Sequence, residues 1–226
     1  MRFNMTKKQA GFNIVEVAFG LIIFGLIIGG LMGPLQVQLD NMDRRETLQV
    51  IETTKEAIIG FALRNGRLPC PDTSTTTPRN GQENIIAGNC SSARGSVPWV
   101  TLGVNSVDAW QQPLTYRVDR DFADNTDGTG CPDSNAAGIS FEMCSLGDIT
   151  VRSTSTGALV ASNVPAIIVS HGENGIAGGD VNEQENSDND ANFVDKNHIN
   201  QGYDDLVGWV NINNLIGKMV SANKLP

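Results

Sequence analysis

Between Phe12 and Leu35 the chain runs for 24 residues with a single ionisable side chain, Glu16. As an α-helix rising ~1.5 Å per residue, this stretch is about 36 Å long, enough to cross a bilayer core of ~30 Å. Lys7 and Lys8 precede it, whereas Asp40, Asp43 and Glu46 follow it, interleaved with Arg44 and Arg45. The positive-inside rule then predicts a single pass with Met1 in the cytoplasm and the remainder across the membrane. An ordinary secretory signal has a shorter apolar region, of ~7–15 residues, followed by a small-residue cut site. Here the small residue, Gly11, stands before the apolar run, so a cut there removes the basic leader and leaves the anchor in place.

The stretch "KKQAGFNIVEVAFGLIIFGLIIGGLMGP" resembles the class III signal of type IV pilins and type II secretion pseudopilins. That resemblance implies that a prepilin peptidase cuts after Gly11, that Phe12 becomes the N-methylated first residue, and that Glu16 is the family's glutamate, fifth after the cut. Asn13 stands where a threonine is usual. A carboxylate in hydrocarbon costs about 3 kcal/mol or more unless it is partnered. The cut supplies a partner, because it creates a cationic α-amine on Phe12 that methylation leaves charged. Within one subunit that amine lies a helical turn from Glu16, near a helix end that itself favours negative charge. Between subunits the same pair sets the axial register of a helical bundle, the use that the resemblance favours. The implied partners are the prepilin peptidase, other pilin or pseudopilin subunits and the inner-membrane assembly machinery. The implied location is the bacterial inner membrane with a periplasmic globular domain, and then the fibre.

Apolar residues continue past the anchor at three- and four-residue steps, through Leu35, Leu39, Met42, Leu48, Ile51, Ile58, Phe61 and Ala62. This predicts one helix to about Asn65, near 80 Å if unbroken, with a kink or local melting at Gly29, Gly30, Gly33 and Pro34. The expected organisation is a leader over 1–11, a transmembrane and assembly segment over 12–35, an amphipathic half over 36–65 and a globular domain over 66–226.

Gly66, Pro69 and Pro71 end the helix, and a Thr/Ser/Asn/Gly-rich loop is expected from Thr73 to Arg94. Strands are expected at Leu114–Val118, in "GISFEM" and "DITVRS" as a pair, in "NVPAIIVSHG" as a buried central strand, and in "DDLVGWVNI". "NNLIGKMVSAN" reads as a short terminal helix. A long helix followed by a run of strands gives an α+β fold with a small antiparallel sheet, which the resemblance specifies as type IV pilin-like. "GRLPCPD", "VPWVTLG" and "DAWQQPLTY" also resemble segments of a subset of pseudopilin-like proteins, with Gln111 standing where that pattern has glycine.

Cys70, Cys90, Cys131 and Cys144 lack the C-x-x-C spacing of zinc or redox motifs, so they read as disulfide partners beyond the membrane. Sequential pairing, Cys70 with Cys90 and Cys131 with Cys144, closes the shortest loops; the two other connectivities stay open. Eight acids crowd the stretch from Asp180 to Asp205, offset by Lys196 alone. Such crowding suits either a solvated flexible loop or a calcium site, and for calcium the candidate ligands are Asp180, Glu183, Glu185, Asp188 and Asp190. The spacing is not that of an EF-hand.

The net charge of -9 argues against a broad phosphate-binding surface, so nucleic acid is not an expected partner. Ser170 and His171 are adjacent on an expected strand and would point to opposite faces, and the segment lacks a G-x-S-x-G elbow. A non-enzymatic fibre subunit is therefore the favoured reading, of the minor class given the chain length and long loops. The rivals are a tip subunit that binds a surface or a secreted substrate, and a periplasmic enzyme on a signal anchor.

Overall fold

The computed structural model describes residues 11, 13–124, 139–197 and 202–225. The chain divides into two units, Met1–Met42 and Asp43–Pro226. Helix α1 (Ile14–Asn65) begins in the first. There its described side chains are exposed apart from the half-buried Asp40, among them Ile14, Phe19, Leu21, Phe24 and Leu26, and the helix is long and apolar enough to cross a membrane. The backbone stays helical through Gly29, Gly30, Gly33 and Pro34, so the local melting expected there does not occur.

In the second unit α1 buries Thr47, Val50, Ile51, Thr54, Ile58, Ile59, Phe61 and Ala62, one face at helical spacing. Sequence periodicity assigns Leu48 to this face, yet Leu48 is 44% exposed and two threonines occupy the stripe instead. Both hydroxyls have partners: Thr54 Oγ1 donates to Val50 O at 2.8 Å, and Thr47 Oγ1 accepts from the Ala109 amide at 3.2 Å. A buried hydroxyl is tolerated once it is hydrogen-bonded, which hydropathy alone does not register. Gly66 ends the helix at φ +73°, and its amide bonds Ala62 O at 2.8 Å.

The elements that follow are β1 (Ile85–Ile86), β2 (Asn89–Cys90), β3 (Arg94–Ser96), α2 (Trp99–Leu102), β4 (Thr115–Val118), α3 (Arg120–Ala123), β5 (Ile149–Arg152), β6 (Leu159–Val164) and β7 (Ala166–Ser170). A 3-10 turn (Gly175–Ala177), α4 (Val181–Ser187), β8 (Asn192–Val194), β9 (Leu206–Val210) and α5 (Ile212–Ser221) complete them. The main sheet is antiparallel, in the order β3-β4-β7-β9, with Tyr116 opposite Ile168 and Ile168 opposite Gly208. The fold is α+β with a long apolar N-terminal helix and small sheets, largely antiparallel.

Strand β7 shows why "AIIVS" is apolar without alternation. Ala166 and Ile168 join the core formed with Ile51, Ile58, Ala62 and Leu215, whereas Ile167 and Val169 join a second core with Ile149, Val151 and Phe193. Successive side chains leave opposite faces of a strand, and here both faces are covered. The second core is roofed by a three-stranded sheet in the order β6-β5-β8. Here β5 pairs antiparallel with β6 but parallel with β8, against the expectation of antiparallel pairing throughout. The chain between β5 and β8 contains β6, β7 and α4, ample length for the crossover that a parallel pair requires.

Three other expectations are corrected. The described residues of "GISFEM", 139–143, form no strand; Phe141 is buried and stacks on Phe122, ring centroids 4.9 Å apart, and the partner of β5 comes later, at Leu159–Val164. The loop from Thr73 to Arg94 contains the β1–β2 hairpin, turning at Ala87 and Gly88, both at positive φ. The acid-rich stretch is not one loop, since α4 occupies its first third.

Candidate functional site

At the N-terminus, Asn13 precedes α1 and its side-chain oxygen accepts from the Val15 amide at 3.3 Å, a helix-capping use of the residue. Gly11 is exposed, and a side chain there would meet nothing within 4 Å. Phe12 lies outside the described residues. Glu16 sits in the first turn of α1, exposed, and its carboxylate has no ion-pair or hydrogen-bond partner among the described residues. The described part of the first unit thus presents an apolar helical surface and, close to its start, a carboxylate unpaired among the described residues.

In the second unit, three segments far apart in sequence converge. Cys70 and Cys90 form a disulfide, Cα atoms 5.2 Å apart, the first half of the sequential pairing. Cys144 is also disulfide-bonded, and Cys131 lies outside the described residues. Beside the Cys70–Cys90 bridge, Arg67 grips both Glu83 carboxylate oxygens at 2.8 Å, and Glu83 Oε2 also accepts from the Cys70 amide at 3.1 Å. "RLPCPD" pairs with Ser96, the residue just before "VPWVTLG", through reciprocal backbone bonds between Asp72 and Ser96. It joins "DAWQQPLTY" through Tyr116, whose hydroxyl donates to Pro69 O at 3.1 Å. Burial pushes the Tyr116 phenol up, with the Glu83 charge adding to it, so it stays a neutral donor. Gln111, in the position where the resembled pattern has glycine, adopts φ +63°. Its turn is closed by Asp108, which accepts from the Gln112 amide at 2.8 Å and, through Oδ2, from the Ser170 hydroxyl at 2.6 Å.

The acidic stretch is organised around α4. Asp180 caps this helix in a reciprocal box with Glu183 and holds Lys196 at 3.2 Å; the Asn182 amide bond chiefly keeps the Asp180 carboxyl below its usual range. Glu185 is half-buried, and burial raises its carboxyl, with Asp190 and Asp188 adding to the rise. Asp188 and Asp190 are exposed and each closes a short turn, accepting from the Asp190 and Asn192 amides. The five sequence candidates therefore do not converge. The acids that do meet are Glu183, Asp204 and Asp205, with one oxygen from each within 4.8 Å of the others. Glu183 is buried and already accepts from the Asp204 amide at 2.9 Å, from Asn174 Nδ2 and from the Asp180 amide. Its oxygens are taken up in tying these loops together. Burial, and then the adjacent Glu183, lifts Asp204 to about 6.

Ser170 and His171 diverge: His171 Nε2 lies 2.9 Å from Thr115 Oγ1, and its Nδ1 lies 3.7 Å from Asp205 Oδ1. His198 lies outside the described residues. No family model, curated protein or solved structure matches the chain.

Proposed function

We propose that the chain is a structural subunit, of the minor class, of a type IV pilus or type II secretion pseudopilus, cut after Gly11 and polymerised through the N-terminal part of α1. The carrying observation is the exposed apolar surface that the described side chains of α1 present between Ile14 and Met42, with the Glu16 carboxylate in its first turn unpaired among the described residues. A helix that is apolar all round needs lipid or other helices about it. Moving it from lipid into a bundle gains little from the hydrophobic effect, so close packing and the Glu16 charge decide assembly. Gly20, Gly25, Gly29, Gly30 and Gly33 leave open surface for such packing. The convergence of "RLPCPD", "VPWVTLG" and "DAWQQPLTY" on one core, and a left-handed residue where the resembled pattern has glycine, support the same reading.

In cells that express a prepilin peptidase, intact-mass measurement should show loss of the first 11 residues. Glu16→Ala should leave that cut intact and abolish incorporation into fibres. An uncut Met1 terminus in those cells would overturn the reading, and normal fibre levels in the Glu16 variant would remove the charge-pair account.

A further inference from the structure

Beside β3 and the start of β4 lies a cavity of about 330 Å³ whose wall carries Arg79, Arg94, Ser96, Gln112, Thr115 and His171, and no carboxylate. In a chain of net charge -9 such a wall is unexpected. Each guanidinium is anchored by main-chain carbonyls rather than by an acid. Arg94 Nη2 donates to Asn186 O at 2.7 Å, and Arg79 Nη1 to Ser74 O at 2.9 Å and Asp72 O at 3.2 Å. Neither arginine forms an ion pair among the described residues. Arg94 Nη1 is buried without a hydrogen-bond partner. A buried charged donor without an acceptor is costly, and an acceptor placed in the cavity would relieve it.

The geometry points to a binding site for a small carboxylate ligand, a mono- or dicarboxylate, gripped between the Arg79 and Arg94 guanidiniums. Arginine's planar fork matches the two oxygens of a carboxylate, and the volume is at the lower end of small-molecule sites. Arginine forks also take phosphate, which many sites hold with additional backbone amides at a helix N-terminus or in a nest; here the two cations are presented by side chains from β3 and from the loop before β1. Asp188 and Asp190 also act electrostatically on Arg94, so the wall offers an anion less positive charge than two free guanidiniums would. His171, also on the wall, is held by Thr115 at 2.9 Å, with its Nδ1 3.7 Å from Asp205 Oδ1. The inference stands independently of the fibre reading.

The test is calorimetric titration of the full chain in neutral detergent with succinate, acetate and inorganic phosphate at constant ionic strength. Saturable succinate binding is expected, weakened on the order of tenfold by Arg79→Gln and again by Arg94→Gln, the loss expected from one charge-assisted contact. Acetate should bind at the same arginines. Arg79 lies on an exposed loop, so Arg79→Gln decides the matter by itself if Arg94→Gln fails to fold. Absence of saturable binding by succinate and acetate, affinity unchanged in Arg79→Gln, or phosphate held more tightly than succinate would each overturn the assignment.

Discussion

Gly208 in β9 lies so close to Ile51 in α1 that a Cβ added at Gly208 would collide with Ile51 Cγ2. A glycine on the strand lets this turn of the helix settle onto the sheet, and Ile51 fills the gap completely, being 1% exposed. Gly208→Ala should therefore destabilise the full chain in detergent by about 1–3 kcal/mol, the usual cost of overpacking a rigid core. Ile51→Ala alone should cost about 2–5 kcal/mol through its cavity. The two together should cost less than their sum, since the new methyl enters the space the isoleucine vacates. Additive denaturation free energies would show that the two residues do not share a contact.

Gln111 occupies φ +63°, where a side chain strains the backbone and glycine does not. Gln111 is exposed, so little packing is lost when its side chain is removed. Gln111→Gly should raise stability by about 0.5–1 kcal/mol, the strain relieved outweighing the added freedom of the unfolded chain. A melting temperature lower than that of the parent chain would count against it.

Glu83 holds a mostly buried guanidinium and the Cys70 amide at once. Glu83→Ala strands both donors and should cost about 3 kcal/mol, at the lower end for breaking a buried pair because some solvent reaches both side chains. Arg67→Leu combined with Glu83→Leu should recover most of that loss. A double variant as unstable as Glu83→Ala would mean that the pair contributes net stability beyond mutual neutralisation.

Asp119 caps α3 and accepts from the Asp121 amide at 3.0 Å and the Asp148 amide at 2.8 Å, yet burial lifts its carboxyl from 3.8 to about 6. A carboxyl whose folded value lies above its unfolded value holds its proton more tightly in the folded chain. Its contribution is therefore fully present below about pH 4 and is lost as pH rises through about 6. The melting-temperature advantage of the parent over Asp119→Asn should shrink between pH 4 and pH 7. An advantage that grows over that interval would reverse the assigned sign.

The carboxylates show where legibility in the sequence ended. The crowding of acids between Asp180 and Asp205 was visible, but which of them meet was not. Asp188 and Asp190 close local turns, whereas Glu183 reaches across to Asp204, 21 residues on. Similarly, "VSHG" carries His171, but only the pairing of β4 with β7 brings it to Thr115, 56 residues away. The two arginines of the carboxylate cavity lie in a stretch read as loop, with no spacing that marks them as a pair.

The sequence by itself determined the long apolar helix, its end at Gly66, the buried strand "AIIVS" and the terminal helix, because each is written in local periodicity or turn chemistry that neighbouring residues impose. Tertiary structure alone decided the parallel return of β8, the threonines on the buried face of α1 and the juxtaposition of Arg79 with Arg94. These depend on hydrogen-bond partners and packing surfaces contributed by distant segments. A one-dimensional pattern of polarity carries the preference of each residue for burial, but not the identity of the neighbour that makes burial affordable.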